Sequence, residues 1–237
     1  MFRSLCLVIA TALIAACAAP PAQTVALSNS FWQEKTARIG VVLVEVPKGA
    51  VHMVGPQDAL DRAIANATDA RLRDYLQTLL PREFHQVGEL FLERLQAKGY
   101  AVSLISQPIE RSRYVALQAK GSTKLNDHSI TALQAQYGID RLLVLSIDRF
   151  GAFRDYFVFV PTAAPTAMFQ VSGELIDLTR NQVLWRVSMA EKQNLLAVEG
   201  RWDQPPDYPN LTQTIRRAEH DAAVYLQSAF FGDADVR

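Results

Sequence analysis

The sequence predicts an α/β domain, a mixed sheet of about five strands with helices packed on it in a single unit. Three observations predict it. The runs Arg38–Pro47 and Asp140–Ile147 are continuously apolar and rich in branched residues, as in strands covered on both faces. Between them, Phe84, Val87, Phe91 and Leu95 recur at three and four residues, the spacing of a helix that covers a sheet. Later, Phe169–Met189 alternates with period two around a polar turn, which is an antiparallel hairpin. Strands interleaved with helices pair in parallel, and the hairpin makes the sheet mixed.

Composition sets the outer bounds. The 237 residues are 49% hydrophobic and 20% charged, enough apolar side chain to exclude wholesale disorder. Lys and Arg number 24, as do Asp and Glu; removing residues 1–16 takes away Arg3 alone and leaves a net charge of −1. So even a balance argues against a broad electrostatic footprint for nucleic acid or anionic lipid.

The amino terminus reads as a signal peptide over residues 1–16: a short positive start at Arg3, then an uncharged run from Leu5 to Ala16, too short to span a bilayer. Ile14-Ala15-Ala16-Cys17 resembles a bacterial lipobox, a branched aliphatic and two small residues before Cys. That reading puts signal cleavage after Ala16 and lipidation on Cys17. Two readings compete, an ordinary signal cut after Ala18 and an uncleaved anchor. Cysteine arithmetic favours lipidation. Cys6 leaves with the signal, so Cys17 is the only remaining thiol, awkward in an oxidising compartment unless modified. Two or more acyl chains give stable anchoring. Ala18 is not the Asp of inner-membrane retention, so the expected location is the outer membrane, with the domain facing the periplasm.

Residues 17–36 then form the lipidated Cys and a tether, closed where Phe31-Trp32 dock on the domain. Its 19 residues after Cys17 reach about 65 Å at most. The α/β domain occupies 37–231, and 232–237 are a tail. Within the domain, Arg38–Pro47 is a central strand stopped by Pro47. Gln57–Leu80 is one or two short helices, with Leu60, Ile64 and Ala67 on one apolar face. Pro81–Lys98 is the clearest helix, with Pro81 in its first turn and Gly99 at its stop. Tyr100–Ile105 is the second strand, Ser129–Tyr137 a short helix, and Asp140–Ile147 the third strand. The hairpin 169–189 is expected to have one solvated face, bearing Gln170, Ser172 and Glu174. A closing helix runs from Asn210 to about Phe231, with Leu211, Ile215, Ala218, Ala222, Tyr225 and Ala229 as its buried stripe.

Two segments carry a resemblance. Tyr137-Gly138-Ile139-Asp140-Arg141-Leu142-Leu143-Val144 leads into a strand, and Gly173-Glu174-Leu175-Ile176-Asp177-Leu178-Thr179 with Val183-Leu184-Trp185 forms a hairpin of the pattern liDl-turn-vlW. Both are similar to a group of periplasmic lipoprotein domains: the curli-secretion channel lipoprotein, the penicillin-binding-protein activators, and the amino-terminal domain of the Tol-system propeller protein. The resemblance spans Arg38 to Phe231 and implies a scaffold for protein contacts, with no catalytic residues to carry over.

The residues themselves offer no catalytic, cofactor-binding or metal-ligating set. No His-Glu-x-x-His, Gly-x-Ser-x-Gly, glycine-rich phosphate loop or Cys-x-x-Cys occurs. His52, His85, His128 and His220 are scattered. Asp58, Asp61 and Glu83 flank helix starts and suit caps; Asp148 and Asp177 suit ion pairs or turns. One segment resists so plain an account. Phe150–Pro161 holds four Phe and one Tyr, apolar at both parities. It is a strand buried on both faces, or an aromatic surface that meets a partner or a membrane interface. The partner-contact candidates are therefore Phe153, Tyr156, Phe157 and Phe159, extended by Trp202 and Tyr208 on the later proline-rich loop. The function expected is a membrane-anchored, non-enzymatic binding or envelope-assembly module, its partner another envelope protein or its own copy. A carboxylate-based envelope hydrolase and a ring-forming export component are the alternatives.

Overall fold

The computed structural model describes residues 24–55, 58–114, 134–190 and 193–232. Ala16, Cys17, the signal segment, most of the expected helix at 129–137 and the tail beyond Gly232 lie outside the described residues. In chain order the elements are β1 (Arg38–Val44), β2 (Ala50–Val54), α1 (Ala59–Thr68), α2 (Ala70–Leu76), α3 (Phe84–Ala97), β3 (Ala101–Ile109), β4 (Arg141–Phe157), β5 (Val160–Pro161), β6 (Thr166–Asp177), β7 (Gln182–Ser188), β8 (Leu195–Ala197) and α4 (Pro209–Phe231).

The sheet is mixed, and its main path has the five strands expected, in the order β3-β1-β4-β6-β7. β1 runs parallel to β3 and β4; β6 is antiparallel to β4 and β7. Three short strands lie off this path: β2 and β5 pair with β4, and β8 with β6. They carry too few residues to show a period. The third strand does not stop at Ile147 but continues to Phe157. β1 flanks it as far as Leu145, and β2 takes over from Gly151 to Asp155. At that handover Gly151 adopts φ +128°, where a Cβ would stand 2.3 Å from the Ala50 carbonyl oxygen; only glycine fits.

One face of the sheet carries the larger core. Leu143, Leu145, Ile147, Phe169, Val171 and Leu175 pack there against Phe84, Phe91 and Leu95 of α3 and Leu211, Ile215 and Leu226 of α4. Each such fully buried side chain contributes about 1.5–3 kcal/mol. In α4 the stripe runs through Leu211, Ile215, Ala218 and Ala222 as expected, but Leu226 and Phe230 complete it, leaving Tyr225 and Ala229 half-buried.

α3 starts at Phe84, three residues after Pro81, and its last turn closes at Gly99 (φ +88°). There the Tyr100 N–H reaches the Leu95 carbonyl (3.1 Å) and the Gly99 N–H that of Gln96 (2.8 Å), a Schellman stop.

The second face differs from expectation. Gln170, Ser172 and Glu174 are buried, so β6 has no solvated side, while Ser188 on β7 is exposed. Period two shows that two faces differ chemically, and here the polar one is covered by Tyr114 and Arg111. Glu174 pairs with Arg186 (2.6 Å), Ser172 donates to Asp148 (2.7 Å), and Arg149 donates to Gln170 (3.1 Å). The Arg111 guanidinium donates to the carbonyls of Glu45 and Ile147, stitching the end of β1 to β4. Burial pushes the Asp148 carboxyl up, partly offset by the Ser172 hydroxyl and the Arg111 charge.

The chain joins the domain well before β1. Val25 exchanges two 2.9 Å backbone hydrogen bonds with Arg186 on β7, and a 3₁₀ turn at Asn29–Trp32 buries Phe31. Phe31 stacks on Tyr100, ring centroids 5.1 Å apart.

Candidate functional site at the far end of β4

Past Gly151, β4 alternates two kinds of residue. Arg154 and Tyr156 point to one side, Asp155 and Phe157 to the other. Arg154 and Tyr156 reach Asp69, the residue at the elbow between α1 and α2. The Arg154 guanidinium pairs with one oxygen of the Asp69 carboxylate, and the Tyr156 hydroxyl donates to the other. All three are buried. The Tyr156 phenol is pushed up, first by burial and then by its hydrogen bond to Asp69.

Trp202 covers this cluster from the loop before α4, with the Arg154 guanidinium 4.7 Å from its ring centroid. Desolvated contacts of this kind are worth about 2 kcal/mol. The result is a cleft of about 520 Å³, whose walls include Thr68, Asp69, Arg71, Arg154, Trp202 and Tyr208. A second cleft of about 520 Å³ opens on the other side of the Pro205-Pro206 turn, against Tyr75 and Thr78. Tyr208 divides the two; it stacks on Tyr75 at 5.2 Å, whose hydroxyl lies 2.6 Å from that of Thr212.

Beyond the cluster the surface turns apolar. Phe157 is 75% exposed and Val160 53%, and Phe159 between them is also exposed. They form the β4–β5 turn, in which Val158 has φ +60°. Val54, paired with Asp155, is exposed beside it. Leu60 (68%) and Ile64 are exposed as well, on α1, the helix that leads from the end of β2 to Asp69. Leu60 and Ile64 share one face with Ala67, as expected, and that face is exposed. α1 instead buries Asp61 and Ala65, so its apolar stripe faces outward.

The six partner-contact candidates thus separate. Phe157 and Phe159 are exposed at the tip. Phe153, Tyr156 and Tyr208 are buried and serve as its footing; Trp202 is half-buried over Arg154. The strand extension and the Trp202 loop do meet, through Arg154. Asp69 was missed because it stands 85 and 87 residues from its two partners, and a single aspartate between short helices carries no sequence signal.

The carboxylates elsewhere have structural partners. Asp58 accepts from the Asp61 N–H (2.8 Å) and caps α1, and Glu83 meets His220 (3.1 Å). Asp177 accepts from the N–H groups of Thr179 and Arg180 and shapes the hairpin turn. His85 is exposed on α3. Among the described residues no group of three or more His, Cys, Asp or Glu could hold a metal ion, and no helix is long and apolar enough to cross a membrane.

No protein-family model matches the chain, and no curated protein does. Solved structures do. Lipoprotein GNA1162 from Neisseria meningitidis is 15% identical, with a TM-score of 0.27 over 65% of this chain and 80% of that one. The PelC dodecamer from Paraburkholderia phytofirmans is 12% identical, with a TM-score of 0.30 over 88% and 94%. The LpoB C-terminal domain from Salmonella enterica is 13% identical, with a TM-score of 0.24 over 69% and 91%. The chain therefore resembles, weakly, a set of solved structures that includes a bacterial lipoprotein.

Proposed function

We propose that this chain is a lipid-anchored protein of the bacterial envelope, held by Cys17 in the outer membrane and facing the periplasm. Its role is to bind another envelope protein through the apolar tip of β4. The observation that carries this reading is the exposed apolar turn of Phe157, Phe159 and Val160, with Val54 exposed on the strand paired beside it. Patches of this kind on a soluble face mark interaction sites. The buried Asp69–Arg154–Tyr156 cluster beneath holds the tip rigid.

The reach of the tether supports a protein partner over the anchoring bilayer. Val25 pairs with Arg186, which lies opposite Glu174, which lies opposite Val144 of β4. From Val144 to Phe157 the strand advances about 40 Å at ~3.3 Å per residue. The eight residues from Cys17 to Val25 reach at most about 28 Å. With the tip driven into the membrane, Val25 would stand beyond the anchor's reach. This supports a tip held clear of the bilayer and free to meet a partner in the periplasm. The carboxylates, engaged in caps, turns and ion pairs, favour a binding role over hydrolysis.

The test places a photo-crosslinking amino acid at position 157 in cells, with the same residue at exposed Gln96 as control. A discrete adduct at 157, absent at 96 and lost with Phe159→Asp, supports the reading. Equal labelling at both positions overturns it, and an adduct of twice the chain's own mass makes the partner a second copy.

A further inference from the structure

The end of the domain opposite the tip has its own surface. Trp32 is half-buried; its ring packs on Phe230 and Phe231 at 5.8 and 6.1 Å. Two ammonium groups converge on that ring. Lys35 Nζ lies 5.8 Å from its centroid, and 4.0 Å from that of Tyr100; Lys98 Nζ lies 5.3 Å away. Arg94, one helical turn before Lys98 on α3, sits 5.5 Å over Phe231. Glu34, next to Lys35 in sequence, is drawn inward to the buried guanidinium of Arg141. Three cations are thus gathered around an aromatic group, and the neighbouring Glu34 is engaged by Arg141.

The two lysines oppose one another. Lys35 is held below its ordinary value, first by desolvation and then by the charge of Lys98.

From this juxtaposition of Trp32, Lys35, Arg94 and Lys98 we propose that this end of the domain rests on anionic lipid headgroups of the bilayer that holds the anchor. The inference rests on the anchored reading above. Position supports it, because the surface lies at the end where the chain from Cys17 first joins the domain. Charge supports it, because anionic headgroups attract clustered Lys and Arg within about a Debye length. The indole supports it, since tryptophan settles at the junction of headgroup and hydrocarbon.

The experiment uses the full acylated chain in vesicles of phosphatidylethanolamine and phosphatidylglycerol, and in vesicles of phosphatidylcholine alone. Both contain a lipid spin-labelled near its headgroup, which quenches tryptophan fluorescence. The Trp32 contribution is the difference between wild type and Trp32→Phe. Trp185 is buried and Trp202 lies at the far end of the domain, so neither responds. Quenching of Trp32 in the anionic vesicles is expected, falling to the phosphatidylcholine level in Lys35→Glu/Lys98→Glu. A chain that floats with the vesicles while Trp32 stays unquenched overturns this surface and leaves the anchor standing. A chain that does not float overturns both.

Discussion

The Glu219 carboxylate of α4, wholly buried, accepts hydrogen bonds from the backbone N–H groups of Glu83 (2.8 Å) and Phe84 (3.0 Å) at the start of α3. α3 has no side-chain cap of its own, so a residue 135 positions away does the work of one. Arg216 donates to the other oxygen at 3.0 Å. Glu219→Leu strands two buried donors and should cost about 3 kcal/mol in chemical denaturation. Glu219→Gln keeps one acceptor and should lose less than half of that.

The pair at the base of the tip should behave as a coupled unit. Arg154→Leu leaves Asp69 buried without its cation, and Asp69→Leu does the reverse; each is expected to cost about 3–5 kcal/mol. The double replacement should cost clearly less than the sum, because it strands no charge. Additive losses in a double-mutant cycle would show that the pair is not coupled.

Gly151→Ala should destabilise the fold by more than the ~1 kcal/mol typical of an exposed glycine substitution. The added Cβ meets the Ala50 backbone at φ +128°. Hydrogen exchange should show β2 loosening first, before β1.

Two aspartates should bend the pH profile in opposite directions. Asp148 is raised by burial, so the folded state keeps its proton to higher pH than the unfolded chain. Its contribution is fully present below the ordinary aspartate value of about 3.9 and is lost as pH rises through the raised one. Asp140 is lowered by its hydrogen bonds from Arg38. Its contribution is present above the ordinary value and is lost as pH falls through the lowered one. Denaturation from pH 3 to 7 should therefore show Asp148→Asn steepening the rise of stability with pH and Asp140→Asn flattening it.

Much of the fold was legible because its long elements carry their own period. β1, α3, the 169–189 hairpin and α4 are each written in apolar spacing that a helix or strand must satisfy locally. What stayed hidden depends on distant chain. Phe150–Pro161 read as ambiguous because a strand flanked by β2 and β6 and an exposed aromatic strand have the same composition; only the placement of β2 and β6 separates Phe153 from Phe157. Leu60 and Ile64 show the converse limit. Helical spacing identifies an apolar stripe but not what it faces. Gln170, Ser172 and Glu174 misled because polarity does not distinguish water from a buried partner such as Arg186.

β4 is continuous from Arg141 to the tip, and β6 flanks it antiparallel from Arg141 to Phe153. A pull on a partner gripping Phe157 would load those ladder bonds lengthwise, all at once, rather than peel them singly. Strands loaded in that direction yield only when the whole ladder slips. With the anchor and the tip contact proposed above, the domain would carry tension between a membrane and the partner.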